Sequence, residues 1–381
     1  MDLYFDVIIA GGGPAGCSCA LALHNKGYKV ALIDKASFPR DKICGDAIPG
    51  QSFRAFHSIN PNWEFLIKQF AEQTEIKSSK VFLSNKIFSY KWKLYASNSK
   101  RIDFDNFLIG LVGSETKTTI FQSQQVTAVS TNKHNVTCTL KDGSKINASI
   151  VIGCDGSNSI VKRCLVKKEN KNEDVYAALR IYYTGIAGCK TGENEFHYLK
   201  EVNGYFWIFP LPNNAYNVGF GVLKRKKQKQ VAPTDSRKIL EKVLSSEPFK
   251  TRFENAVNTS KLVGHGLPVW KGKQALSGER FMLAGDAACL VDPLQGHGID
   301  KAIWSGIIAA SHVVKCFAAN RFDAAFNKNY DKEINKSIGK ELNRNYHLMH
   351  VFVKFPFLIK LFVKLNPSQN LINWLLNKIK L

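Results

Sequence analysis

Apolar and polar positions along this chain switch between two periods, and the switches mark its elements. Val7–Ala10 is a continuous apolar run, the pattern of a strand buried on both faces of a parallel sheet. Pro14 to Asn25 follows a helical spacing, and Lys29–Ile33 reads as a second buried strand. Residues 51–75 look helical. From Ser79 the period drops to two, with Val81 and Leu83 before a Ser84-Asn85-Lys86 turn and Ile87, Ser89 and Lys91 after it, which predicts a hairpin. Arg101–Val112 is helical again, with Phe104, Phe107, Leu108 and Leu111 on one face. Between 117 and 152, Val126, Ala128, Val136, Cys138 and Leu140 alternate and Asp142-Gly143 supplies a turn. Residues 175–222 read as an antiparallel sheet centred on Gly204–Pro210, in which Tyr205, Trp207 and Phe209 share one face and Phe206 and Ile208 the other. A helix from about Asp235 to Ser246 follows, then a strand from Phe281. A long helix to about Ala319 carries Ala302, Ser305, Gly306, Ala309 and Ala310 as a small-residue face, and a helical tail runs from Leu342 to Leu381.

Three apolar strands end in glycine and an acid. The first meets Gly11, Gly13 and Gly16 at G-x-G-x-x-G spacing and then a helix, and the second strand closes on Asp34. Each glycine has a mechanical reason: a tight turn, close approach to a pyrophosphate, and close helix–strand packing. The helix N-terminus offers free N–H groups to phosphate, and the acid suits a ribose hydroxyl. Ile150–Ile152 runs into Gly153-Cys154-Asp155-Gly156, and Phe281–Leu283 into Ala284-Gly285-Asp286. A ligand touching all three ends is long and lies across a discontinuous domain. The Pro/Gly loop Phe38–Asp46 leaves the second strand on the same side. Its Cys44 has Arg40 and Lys42 available to lower a thiol pKa, and equally reads as a small buried residue. The loop Asp292–Ile299 opens the long helix, whose positive end suits an anionic group such as a reduced flavin ring. The Tyr205, Trp207, Phe209 face reads either as core or as the wall of an apolar substrate cavity.

Composition sharpens this. A chain of 381 residues with 45% hydrophobic content suits two domains or one elaborate one. Nine scattered cysteines with no C-x-x-C pair read as reduced thiols, and no metal site is expected. Net charge is +22, with lysine spread along the chain. The dense run Lys224–Lys229 lacks interleaved aromatics, so nucleic acid is disfavoured and an anionic membrane surface is the better basic-protein partner. No leader and no apolar run of membrane-span length is read, so a cytoplasmic protein, peripheral at the membrane, is expected. In the tail, Lys354, Lys360 and Lys364 share a helix sector, and Leu371, Trp374 and Leu375 oppose polar residues. Capping of the substrate domain and a basic amphipathic surface both remain open.

With these residues in view, the chain resembles the FAD-dependent geranylgeranyl reductase family, within the para-hydroxybenzoate hydroxylase-like superfamily. The matching residues are Gly11–Gly16 with Asp34; Cys44-Gly45-Asp46; Arg101 with Phe104-Asp105; Asp155-Gly156 with Ser159; Tyr205–Pro210; and Gly285–Ala288 with Pro293, Gly296 and Gly298-Ile299. They span about residues 5–310. The resemblance implies an α/β fold. A doubly wound Rossmann-type FAD-binding domain (GR2-like) comes from 1–75, 100–170 and 265–325. An antiparallel substrate domain comes from 76–99 and 171–264, and a helical C-terminal region from 326–381.

It implies that Gly11, Gly13, Pro14, Ala15 and Gly16 hold the pyrophosphate, Asp34 the adenosine ribose, and Asp286 the ribityl hydroxyls. Arg101 lies along the flavin chain, and Gly296, His297, Gly298 and Ile299 face the pyrimidine edge. Lys35, Arg40, Cys44, Gly45, Val126, Asp155, Gly156, Gly285 and Pro293 complete the FAD contacts. Cys44 stands at the active-site cysteine position, and Tyr205, Trp207, Phe209 and Pro210 line the substrate cavity.

Two positions depart from the pattern. Lys162 stands where an arginine is usual, and His297 where a glutamate is common in reductases; His297 is read here as a loop residue in preference to a proton donor. The implied activity is reduction of carbon–carbon double bonds in a prenyl or lipid-like chain, with NAD(P)H, another reduced donor or an electron-donor protein as the electron source. The alternatives are a monooxygenase of an aromatic or polyene substrate, a halogenase, whose W-x-W-x-I-P is half met, and a membrane-docked electron carrier.

Overall fold

In the computed structural model, residues 3–83, 86–166, 175–199, 204–224, 233–272, 274–355 and 357 are described. The elements up to the middle of the chain are β1 (Leu3–Ala10), α1 (Pro14–Ala22), β2 (Val30–Ile33), β3 (Ala47–Ile48), α2 (Gly50–Ile59), α3 (Pro61–Gln69), β4 (Thr74–Leu83), β5 (Lys86–Asn98) and α4 (Arg101–Glu115). There follow β6 (Thr119–Phe121), β7 (Val126–Thr131), β8 (Val136–Leu140), β9 (Lys145–Gly153), α5 (Ile160–Leu165), β10 (Val175–Thr184), β11 (Glu193–Leu199), β12 (Gly204–Leu211) and β13 (Ala215–Lys224). The last third holds α6 (Pro233–Leu244), α7 (Phe249–Phe253), β14 (Val257–Asn258), β15 (Val263–Pro268), β16 (Ser277–Gly278), β17 (Phe281–Leu283), α8 (Ile299–Ala319), α9 (Ala324–Ile334) and α10 (Lys340–Lys354).

Continuous apolar runs became the buried parallel strands. β1 pairs in parallel with β2 (Val7 with Val30) and with β9 (Val7 with Ile150). The sheet runs β16-β17-β9-β1-β2-β6, and the β7–β8 hairpin hangs on β9. The chain passes through this sheet at the start, the middle and the last third, so the three Gly-acid ends share one edge of it. Helix α8 packs on α1. A Cβ at Gly306 would sit 2.2 Å from the Ala15 carbonyl oxygen, and the Ser18 hydroxyl donates to the Ile303 carbonyl at 3.0 Å. By length and composition α8 is apolar enough to cross a membrane, contrary to the expectation that no run reaches that length. It is half buried, and its small-residue face lies in the core, so its apolarity serves helix packing.

The second sheet runs β14-β10-β13-β12-β11-β4-β5-β3, with β15 also on β10. Its strands were expected to be antiparallel throughout, but β11 lies parallel to β4. Parallel neighbours need a long crossover, and the whole α4–β10 stretch of chain supplies one. Phe206 and Ile208 face a cluster with Leu240 and Phe249, so α6 and α7 cover that side of β12. Tyr205, Trp207 and Phe209 are left facing a chamber shared with the Cys44 loop and the loop before α8.

Smaller differences have local causes. The helical stretch 51–75 is broken at Asn60-Pro61, because a residue before proline leaves the α region. Asn60 then caps α3 by accepting from the Asn62 N–H at 3.0 Å, and β4 already begins at Thr74. Helix α1 ends at Ala22, three residues short of Asn25. Of the expected helical tail, α10 ends at Lys354; Lys360, Lys364, Leu371, Trp374 and Leu375 lie outside the described residues, as do positions 225–229 of the basic run.

Candidate active site

The nucleotide cradle is set by close backbone approaches. Gly11 has φ +108°, and a Cβ there would lie 2.3 Å from the Cys154 carbonyl oxygen. No side chain caps α1, so its first-turn N–H groups remain for an anion. The buried Asp34 fixes the loop: Oδ2 accepts the Gly12 N–H at 2.7 Å and Oδ1 the Ala36 N–H at 2.9 Å. A cleft of about 570 Å³ opens here. Its walls include Gly11, Gly13, Pro14, Ala15, Asp34 and Lys35 from the first βαβ unit, with Arg40, Arg101 and Val126. Asp155, Gly156, Gly285 and Asp286 close it from the other two strand ends.

Gly16 does not line the cleft. A Cβ there would sit 1.8 Å from the Gly11 carbonyl oxygen, so it serves to bring the helix onto the turn. Arg101 is buried and grips Asp105 with two bonds of 2.6 Å, and Arg40 reaches the same carboxylate at 3.0 Å. Asp155 Oδ2 accepts the Ile160 N–H at 2.6 Å, while its buried Oδ1 has no partner among the described residues. Arg163, Gln124 and Asn158 also line the cleft and escaped sequence reading, because they sit in loops and short helices without a motif. Lys162, at the usual arginine position, instead points its Nζ to Cys289 Sγ at 3.1 Å.

The cleft continues into an apolar chamber through shared walls at Pro14, Lys42, Arg101, His265, Asp286 and Ala302. The chamber brings together Cys44 and Gly45, the aromatic face of Tyr205, Trp207 and Phe209, and the loop residues Gly296, His297, Gly298 and Ile299. Two expected residues are not in it. Pro210 falls on the opposite face of β12 from Phe209 by the two-residue period, and its carbonyl accepts from Asn98 Nδ2 at 2.9 Å. Pro293 is buried within its own loop and lines neither space.

A polar network ties the walls together. The Asn217 amide accepts from Trp207 Nε1 at 2.8 Å and donates to the Cys44 carbonyl at 2.9 Å and to Asp46 Oδ2 at 2.8 Å. The Tyr182 hydroxyl donates to the same Asp46 oxygen at 2.7 Å. Burial pushes the Asp46 carboxyl up to about 6, against those hydrogen bonds. Arg180, 3% exposed, donates to Asp41 at 2.7 Å and lies 4.1 Å over the Tyr182 ring. Sequence alone assigns a role to neither Asp46 nor Arg180, since their contacts form only between strands brought together from distant parts of the chain.

Arg40 and Lys42 do not activate Cys44, contrary to the expectation from sequence. Arg40 is committed to Asp105, and Lys42 to Asp286 at 2.7 Å. Burial pushes the Cys44 thiol up, and nearby Arg101 and Lys42 offset this only in part. Asp286 has the opposite balance. Its burial raises the carboxyl, but Lys42 outweighs this and holds it below the ordinary range.

The FAD binding domain family matches residues 4–313. This chain belongs to that family. The cradle at Gly11–Gly16, the partnerless Asp155 oxygen and the long two-part cavity fit FAD as the bound group. Among curated relatives of this flavoprotein, menaquinone reductase from Mycobacterium tuberculosis is 28% identical over 319 residues, covering 80% of this chain and 75% of the relative. Digeranylgeranylglycerophospholipid reductase from Methanococcus vannielii is 28% identical over 337 residues, covering 86% and 81%. In fold, it is similar to a geranylgeranyl bacteriochlorophyll reductase-like protein from Thermoplasma acidophilum, with TM-score 0.82 and 20% identity over 100% of this chain and 92% of that one.

Proposed function

We propose that this flavoprotein reduces carbon–carbon double bonds in a prenyl or similarly apolar lipid chain. The observation that carries this reading is the aromatic chamber opening directly from the nucleotide cleft, walled by Trp207 and Phe209 on one side and by the α8 loop on the other. Such a space desolvates an alkene beside a redox ring. The names of the two relatives, one acting on a menaquinone and one on a digeranylgeranyl lipid, support a prenyl substrate. FAD held by the Gly11–Ala15 cradle would, once reduced, supply the hydride. The chain's own residues position and protect: Trp207 and Phe209 hold the alkene, and Asn217 holds Trp207. Burial keeps the Cys44 thiol protonated, which suits a proton donor and not a nucleophile. The electron source is a nicotinamide or a donor protein, and the net charge of +22 supports docking on an anionic bilayer where the lipid is drawn from.

The test is an anaerobic visible spectrum of the purified holoprotein with NADPH, then with a geranylgeranyl lipid. Bleaching followed by recovery only on adding the alkene is expected. Recovery that needs oxygen and an aromatic or polyene substrate would instead establish a monooxygenase, and bromide-dependent product a halogenase.

A further inference from the structure

The loop before α8 and the first turn of that helix carry a row of polar side chains that double-bond reduction, as described above, leaves without a task. His297 Nδ1 lies 3.1 Å from Asp300 Oδ1, and its Nε2 faces Gln295 Oε1. With the Gln295 amide so oriented, both ring nitrogens face acceptors, which the doubly protonated imidazolium satisfies. Asp300 is 1% exposed and accepts from Lys301 Nζ at 2.9 Å through its other oxygen. Lys301, itself buried, donates onward to Glu341 Oε1 of α10 at 2.9 Å. The Lys301–Glu341 pair thus backs an ionised Asp300, and Asp300 backs His297. Burial opposes charge on the imidazole, but Asp300 outweighs it and raises the His297 pKa above its ordinary value.

The other charged group on the loop is already committed. Asp292 accepts the Leu294 and Gln295 N–H groups at 2.8 and 2.9 Å on one oxygen and Asn345 Nδ2 at 2.6 Å on the other. From β12, the Tyr205 hydroxyl donates to the Gln295 carbonyl at 2.9 Å and pins the loop to the aromatic strand. Of the other titratable cations on the chamber wall, Lys42 is held by Asp286 at 2.7 Å, and His265 stands at the junction with the cleft, its Nε2 3.0 Å from the Ser157 hydroxyl and its pKa lowered by burial; His297 is the one on the α8 loop. Cleft and chamber join at Asp286 and Ala302, and the wall next reached along α8 is Gly296–Ile299. A ring threaded from the cleft therefore meets the positive end of α8 with His297 beside it.

We propose that His297 is a proton-coupled counter-cation for the reduced flavin, taking up a proton when the bound ring gains electrons. This rests on the FAD reading of the site and not on the identity of the alkene. Two electrons from a reductant such as dithionite and one proton give the anionic reduced ring. Above the His297 pKa, reduction draws a second proton onto the imidazole; below it, the imidazole is already charged and only the first proton is taken. Nε2 is the nitrogen that gives up its proton in the oxidised state, because the Gln295 amide can turn to donate whereas the Asp300 carboxylate only accepts.

The experiment is a spectroelectrochemical titration of the FAD-loaded full chain and of His297→Gln, between about pH 6 and 9. The native protein is expected to take up two protons per electron pair over a window above the His297 pKa and one below it. His297→Gln takes up one throughout and has a lower midpoint potential near neutral pH. His297→Lys, which keeps the charge, restores the potential without the window. In FAD-free protein, histidine NMR is expected to show the His297 pKa falling in Asp300→Asn. Flavin bound with one proton per electron pair in both native protein and His297→Gln defeats this proposal alone, as does a His297 pKa indifferent to Asp300→Asn. Absence of flavin from the native protein defeats the FAD reading, and this proposal with it.

Discussion

The Trp207 indole N–H donates to the Asn217 side-chain oxygen at 2.8 Å, and the same Asn217 amide holds the Cys44 carbonyl and the Asp46 carboxyl. One side chain on β13 thus sets both the aromatic wall and the cysteine loop. Asn217→Ala strands the Trp207 N–H and the Cys44 carbonyl, each worth about 1–3 kcal/mol when unsatisfied, and leaves Asp46 Oδ2 with Tyr182 alone. The expected result is a lower urea midpoint together with altered Trp207 fluorescence. Unchanged stability would show that the network carries no weight.

Asp46 makes stability depend on pH. Its folded pKa, raised by burial to about 6 from 3.8, means that the folded state holds a proton that the unfolded state has lost between those values. Stability from this group therefore falls as pH rises through that window and is flat above it. The cost at neutral pH is of the order of 3 kcal/mol for a shift of this size. Asp46→Asn, which keeps the acceptor oxygen for Tyr182 and Asn217, should gain on the native protein between pH 4 and 7 in paired denaturation curves; parallel curves would contradict the assignment.

Gly219 clears space for Trp207. A Cβ at Gly219 would stand 2.0 Å from the indole Cζ2. Gly219→Ala should displace the ring and weaken binding of an apolar chain by about tenfold, or 1.4 kcal/mol, while FAD stays held by the Gly11–Ala15 end of the adjoining cleft. Fluorescence titration of each ligand separates the two effects.

Gly306 allows α8 to touch α1. Placing a side chain 2.2 Å from the Ala15 carbonyl oxygen forces the helices apart. Gly306→Val should cost at least about 1–3 kcal/mol of stability and loosen FAD as well, because Ala15 is on the cleft wall. A thermal shift with and without FAD reads both.

Cys44 should alkylate slowly near neutral pH, since burial raises its thiol, whereas the exposed Cys164 is open to the reagent. Mass spectrometry of timed iodoacetamide samples gives the order. Cys44→Ala is expected to lose double-bond reduction while still binding FAD; full activity would remove the thiol from the mechanism.

Local pattern alone made the cofactor half of this protein legible. The apolar run Val7–Ala10, the glycine triplet and the acids Asp34, Asp155 and Asp286 lie at strand ends whose geometry follows from short-range sterics and hydrogen bonding, so consecutive residues encode it. The alternation in β12 likewise separated Tyr205, Trp207 and Phe209 from Phe206 and Ile208, but not which face would be covered. That was decided when α6 and α7 packed on one side and left the other open to the chamber beside the Cys44 and α8 loops. The charge states of the site also waited on tertiary structure. Arg40 and Lys42 sit close to Cys44 in sequence, yet fold onto Asp105 and Asp286, and Asp46 owes its raised pKa to burial beneath strands that bring Tyr182 and Asn217, more than a hundred positions away, to its carboxyl. Sequence places His297 in a loop; only the packing of α10 puts Glu341 on Lys301 and so on the Asp300 that His297 faces. Electrostatics depends on distance in space and on burial, and neither is a property of neighbours along the chain.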